Sequence, residues 1–290
     1  MSRLDRGYSA CRALHRRHGT TYFWATQVLP AERRRHVYAF YGFCRYADEI
    51  VDGAGFDSHE QRARALAELG SSFERAWAGS VPHQPVVAAV VQTMRELRQD
   101  PELISRFLRS MAMDLSVSAY ETWDELCSYV DGSAAVIGEM VLPVLCPDPV
   151  QGALRPARQL GVAFQMTNFL RDVGEDLARG RVYLPAEDLR RFGADPWARA
   201  VTPEWVALMK YEIQRTRMIY REAATGTGLL PPRAAACVRT AASLYGRILE
   251  RIEANGYDVF ARRARVALPV KLAVVARGMV ATSVPVRLGA

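Results

Sequence analysis

A chain of 290 residues in which half are apolar and 24% charged can bury a large core, and no Pro/Gly/Ser-rich linker divides it, so a single domain over 1–290 is expected. The formal net charge of +7 is carried almost wholly by Arg, with Lys only at 210 and 271, which suits an anionic partner such as a diphosphate or a lipid headgroup. No zinc-finger, RNP or basic-zipper pattern is present, so nucleic acid is not expected as a partner.

Residues 3 to 18 read as a helix, with Thr20 or Thr21 capping a short apolar turn that ends at Leu29-Pro30. Ala31 to Val51 follows as a helix stopped by Gly53 to Gly55, and amphipathic patterns near 58–78 and 84–99 read as outer scaffolding. Pro101 opens the next helix, and Trp123 to Leu145 keeps helical period until Pro147 and Pro149 break it. Residues 152–178 form a long helix, RGRVYLP leads to a short turn after Pro185, and Trp205 to Thr225 and Arg233 to Asn255 are long and amphipathic, the latter ended by Gly256. A last helix covers 264–282. Without strand alternation, hairpin signals or repeats, the fold class is all-α, a helical bundle with a central cavity.

Two of these helices carry acids in an apolar, aromatic setting. In HVYAFYGFCRYADEIVD (36–52), Asp48 and Asp52 stand at i, i+4; in LGVAFQMTNFLRDVGEDL (160–177), Asn168, Asp172 and Asp176 stand at i, i+4, i+8, so each set rises along one helix face. With 31 acids in the chain, chance supplies roughly three i, i+4 acid pairs, and four occur, counting Glu96/Asp100 and Glu121/Glu125. Spacing alone therefore decides nothing; the apolar surroundings do. Buried carboxylates need compensation, and two readings stand: hard divalent cations, or interior salt bridges to Arg45 and Arg171.

FCRYADEIVD and AFQMTNFLRDVGEDLARGRVYLPAEDL resemble the two aspartate-rich motifs of the squalene/phytoene synthase family. TYFWATQVLPAERRRHVYAFYGF, MAMDL (111–115) and LYGRILERIEANGYDVFARR (244–263) resemble it in order and spacing, so the resemblance covers nearly the whole chain. It implies an isoprenoid-synthase-type bundle that joins two prenyl diphosphates head to head through a cyclopropylcarbinyl diphosphate. The product most like the bacterial members is phytoene from two geranylgeranyl diphosphates. Alternatives are a squalene or dehydrosqualene synthase using farnesyl diphosphate, prenyl transfer to a non-isoprenoid acceptor, and a non-enzymatic scaffold. The resemblance implies Mg²⁺, with Mn²⁺ as a substitute, held by Asp48, Asp52, Asp172 and Asp176 with Asn168 assisting; NADPH is not expected. It places Thr21, Tyr22, Tyr41, Arg45, Phe164, Gln165, Arg171, Tyr245 and Arg262 at the substrate, with Tyr129 and Asp131 beside the chemistry. Phe23 and Phe40 join Tyr22, Tyr41 and Phe164 as wall candidates, able to stabilise a carbocation through their ring faces.

Departures from the family pattern are informative. The run Gly19-Thr20-Thr21-Tyr22 lacks a basic residue that the family often has there, and Asp131 stands where the family has a second tyrosine. Asp131 could serve as a general base, a member of the metal or diphosphate network, or a helix-surface residue. His15, His18 and His36 lie in Arg-rich surroundings without a zinc spacing and read as surface residues, as does the turn Arg33-Arg34-Arg35. Five cysteines without a CxxC pair suit reduced thiols in the cytoplasm. The N-terminus is too polar for a signal peptide and no apolar run is read as long enough to span a bilayer, 266–286 being broken by Lys271 and Arg277, so membrane contact is expected to be peripheral.

Overall fold

Proline and short polar caps punctuate the chain into helices. A computed structural model describes residues 2–148 and 150–283, without the side chains at 20, 21 and 280–283. Ser2 and Asp5 form a reciprocal capping box at the start of α1 (Arg3–His18). Ser58, Thr122 and Thr202 cap α4 (His59–Trp77), α7 (Trp123–Val130) and α11 (Pro203–Ala224) through their hydroxyls. Prolines stand at or just before the first turns of α3 (Ala31–Asp52), α5 (Pro85–Glu96), α6 (Glu102–Met113), α10 (Ala186–Phe192) and α12 (Pro232–Ala254), where a missing N–H is harmless. The remaining helices are α2 (Thr20–Thr26), α8 (Val136–Leu145), α9 (Leu154–Ala178) and α13 (Leu268–Ser283). Among the described residues there is no β-strand, only a single bridge between Ala119 and Val182, so the all-α reading holds.

Three local expectations are corrected. Thr20 and Thr21 lie inside α2 and Gly19 takes the cap position. The run 123–145 is interrupted by a π-helical turn at Asp131–Ala135. That run is long and apolar enough, by length and composition, to cross a membrane, with mean hydropathy 1.2; in the fold just over half of it, 56%, is buried inside the bundle. The predicted cap at Gly256 is present, with φ +65° just beyond α12.

Two large packed clusters, with two smaller ones beside them, surround a cavity. One gathers α1, α3, α4, α5, α6 and α8 around Phe40, Phe43, Phe73 and Phe107, all nearly inaccessible to solvent. The other gathers α9, α11 and α12 around Trp205, Leu244 and Ile248. Gly138 of α8 and Gly161 of α9 let those helices meet backbone to backbone: a Cβ at Gly138 would stand 2.1 Å from the Ala157 carbonyl oxygen. Helices α3 and α9 thereby become opposite walls of one space.

Candidate active site

The cavity holds about 1000 Å³, at the top of the roughly 300–1,000 Å³ range of small-molecule sites. Asp48, Asp52, Asp172 and Asp176 all line it, at one end, together with Asn168. The two acidic rows face each other closely enough to share a cation: Arg179 lies 4.0 Å from Asp52 and 3.8 Å from Asp176. Arginines hold the acids apart from one another. Arg45 donates to Asp48, Arg181 donates to Asp52 at 2.7 Å, and Asp172 is gripped by Arg171 and by both Nε and Nη2 of Arg263 at 2.8 and 2.9 Å. Among the described residues, no three His, Cys, Asp or Glu side chains are gathered as a ready metal cage.

Burial sets the chemistry of this end. It pushes the Asp176 carboxyl up to about 8, reinforced by the Asp172 charge and opposed by Arg179. It pushes Asp48 up to about 6, opposed by Arg45 and reinforced by Asp52 and Asp114. The Asp48 side chain lines the cavity and is 42% exposed, against 14% for Asp176, which accords with its smaller upward push. Asn168 Oδ1 is buried and accepts no hydrogen bond, while its Nδ2 donates to Gln165 Oε1 at 3.3 Å. An unsatisfied amide oxygen on the same helix face as two of four cavity-lining carboxylates completes an all-oxygen donor set that fits Mg²⁺.

Aromatic groups close the adjoining wall. Tyr22 stacks on Tyr245 with centroids 4.6 Å apart, and Phe164 meets both rings at 5.3 and 4.6 Å. Tyr41 stacks on His15 at 4.2 Å. Beyond them the cavity runs into apolar surface from Phe40, Phe107, Ile137, Val141 and Leu145. Of the sequence candidates, Tyr22, Tyr41, Arg45, Tyr129, Phe164, Gln165, Arg171 and Tyr245 line the cavity with the acids. The Thr21 side chain lies outside the described set.

Other expectations are overturned. Asp131 does not line the cavity: it pairs with Arg158 and, at 2.9 Å, with Arg106, and Glu139 binds the same two arginines at 3.1 and 2.7 Å. Partial burial would raise the Asp131 carboxyl, but the hydrogen bond from Arg106 and the charge of Arg158 outweigh it and hold it below the usual range, unsuited to a base. Arg262 is exposed, and its neighbours Arg263 and Arg265 line the cavity instead. Phe23 packs into the α1–α3 core rather than the wall. His15 and His36 are buried, not superficial; burial alone drives His15 down to about 3 and so keeps it neutral. Arg33 donates to the Val144 and Leu145 carbonyls at 3.3 and 3.1 Å, Arg34 to the Leu29 and Gln27 carbonyls, and Arg35 to Glu96. That run is helix-end fastening, not a solvated turn.

Sequence reasoning missed Asp114, Tyr183, Arg179 and Arg181 as cavity residues. MAMDL and RGRVYLP carried the signal, since each was already marked out within a family-like stretch.

An all-α bundle with two acidic helices facing each other across a deep aromatic-walled cavity is the architecture of isoprenoid synthases. The chain belongs to the squalene/phytoene synthase family, whose model matches residues 15–270. It is 37% identical over 286 residues to 15-cis-phytoene synthase of Synechocystis sp., covering 93% of this chain and 83% of that protein. It is also 37% identical over 277 residues, 93% of this chain, to chloroplastic phytoene synthase 3 of Zea mays, of whose length it spans 64%. Among solved structures, a dehydrosqualene synthase in complex with ligand matches with TM-score 0.86 at 26% identity, over 95% of this chain and 96% of that one.

Proposed function

We propose that the protein, acting as one domain over 1–290, condenses two geranylgeranyl diphosphates head to head into phytoene and releases two diphosphates. The observation that carries this is the pair of acidic rows lining one deep cavity, with Asn168 Oδ1 in the α9 row left without a hydrogen-bond partner. Asp48, Asp52, Asp172, Asp176 and Asn168 would hold Mg²⁺, which supplies charge neutralisation to the departing diphosphates. Arg45, Arg171, Gln165, Tyr245 and, in place of Arg262, Arg263 form the polar grip on those diphosphates, with Tyr22 and Tyr41 at its edge. Phe40, Phe164 and the apolar floor exclude water from the carbocation left behind and offer ring faces to it. Tyr129 stands at the wall of the same space.

The hydrophobic product gives a reason for peripheral membrane contact by a cytoplasmic enzyme; vesicle flotation without any association would contradict that contact. Mg²⁺ and purified protein incubated with geranylgeranyl diphosphate, then farnesyl diphosphate, each with and without NADPH, test the reaction. A forty-carbon hydrocarbon formed without NADPH is expected. A thirty-carbon product, or diphosphate release without dimeric hydrocarbon, would replace this reading.

A further inference from the structure

The cavity wall holds a half-buried carboxylate that neither acidic row uses. Asp114, just past the end of α6, accepts hydrogen bonds from Tyr183 Oη at Oδ1 and from Tyr129 Oη at Oδ2, both at 2.8 Å. Arg181 fixes its backbone, donating to the Asp114 carbonyl at 3.0 Å and to Asp52 at 2.7 Å, so this carboxylate is coupled in position to the acidic end without joining it. Ser110 Oγ donates to the Tyr129 carbonyl at 3.1 Å, and Tyr183 stacks on Phe169 at 4.3 Å, so both phenols are held in place. Asp114, Tyr129 and Tyr183 all line the cavity.

Head-to-head condensation, on the reading above, sheds two protons per product as well as two diphosphates. Water cannot collect them, because water admitted to the cavity would capture the cation. The acceptors that remain are a diphosphate already released at the acidic end and a carboxylate in the wall. We infer that Asp114 stores one of these two protons, with Tyr129 as the group that touches substrate and relays it, while the other passes to the diphosphate already released. The C–H bond at C1 of the cationic intermediate breaks and its electron pair becomes the new carbon–carbon bond. The proton goes to Tyr129 Oη while the hydroxyl proton of Tyr129 passes to Asp114 Oδ2. Tyr129 ends neutral, Asp114 ends as a carboxylic acid, and its proton leaves to water when diphosphate departs. Two phenols rather than two arginines as partners make this possible. Burial favours the protonated form of Asp114, opposed by the hydrogen bonds from Tyr129 and Tyr183 and by Arg181, whereas Asp131 is held ionised by its two cations.

The test compares wild type and Asp114→Asn with geranylgeranyl diphosphate and Mg²⁺, measuring diphosphate release and hydrocarbon separately, with and without deuterium at C1. Asp114→Asn is expected to release diphosphate within about 10-fold of wild type while hydrocarbon falls about 100-fold or more. Carbon then appears as water-quenched alcohols, and deuterium at C1 enlarges that diversion. Tyr129→Phe is expected to divert carbon in the same way, and decides alone if Asp114→Asn does not fold. Unchanged hydrocarbon yield, or diphosphate release and hydrocarbon falling together, would overturn the inference, the latter because Asp114 would then only steady Arg181 and Asp52. A wild type that makes no forty-carbon hydrocarbon would instead overturn the proposed function, a distinct result.

Discussion

The cavity acids and the acids at the α10–α11 junction are both drawn into the protein, but only the first group lines the cavity. At the junction, Asp188 and Glu212 have side chains 5% and 0% exposed, and both accept from Arg215, at 2.8 and 3.0 Å. Arg215 is covered in turn by the rings of Trp123 and Tyr211, 4.4 and 4.7 Å away. None of Asp188, Glu212 and Arg215 lines the cavity, so the cluster reads as a fastening between two helices. In the cavity, Asp176 is pushed as high as Glu212, to about 8, yet it lines open volume, as does Asn168 with its unpartnered oxygen two turns earlier on the same helix. Equal discomfort of a carboxylate thus marks a fastening in one place and a binding site in the other; the adjoining space distinguishes them.

Substitutions sharpen that contrast, beginning with the largest effect. Asp172→Ala is expected to lower turnover by about a thousand-fold or more, since charge stabilisation of several kcal/mol is lost, while circular dichroism stays that of the wild type. A near-normal rate would break the contrast outright. Arg181→Ala removes the donor to Asp52 and to the Asp114 carbonyl, and kcat/KM should fall by about 10²-fold in steady-state assays. The fastening cluster should respond in stability rather than rate. Burial raises Glu212 from 4.5 to about 8, against the charge of Arg215, so the folded protein keeps a proton that the unfolded chain releases. The stability this gives is full below pH 4.5 and is lost as pH rises through about 8. Glu212→Gln should therefore flatten the decline of Tm between pH 6 and 9, by a few degrees at roughly 2–4 °C per kcal/mol. The smallest effect belongs to Asp131→Asn: its carboxylate is 42% exposed and its ion pairs are worth at most about 1 kcal/mol, with turnover within about 3-fold of wild type.

The acidic rows and nearly every helix were legible because helical period and apolar setting are local properties. Asp131 shows what a motif comparison obscures. Successive helix positions i and i+2 point about 200° apart, so with Tyr129 turned to the cavity, Asp131 faces outward, while Ser133, four residues on from Tyr129, returns to the lining. Arg262 and Arg263 sit in the irregular segment between α12 and α13, where no period says which of two adjacent arginines turns inward. Asp114, Arg181 and Tyr183 meet from distant parts of the chain, and only tertiary packing brings them together. His15 was masked by its neighbours, since an Arg-rich run hides the one position that points to Tyr41 and Tyr38.

Isothermal titration with an unreactive thio-diphosphate analogue of the substrate, with and without Mg²⁺, tests the facing acidic rows most directly. Binding should require Mg²⁺ in the wild type and be lost in Asp176→Asn, whose side chain is 14% exposed and turned to the cavity. Equal binding without the metal, or unchanged Mg²⁺-dependent binding in Asp176→Asn, would contradict a site built from those two rows.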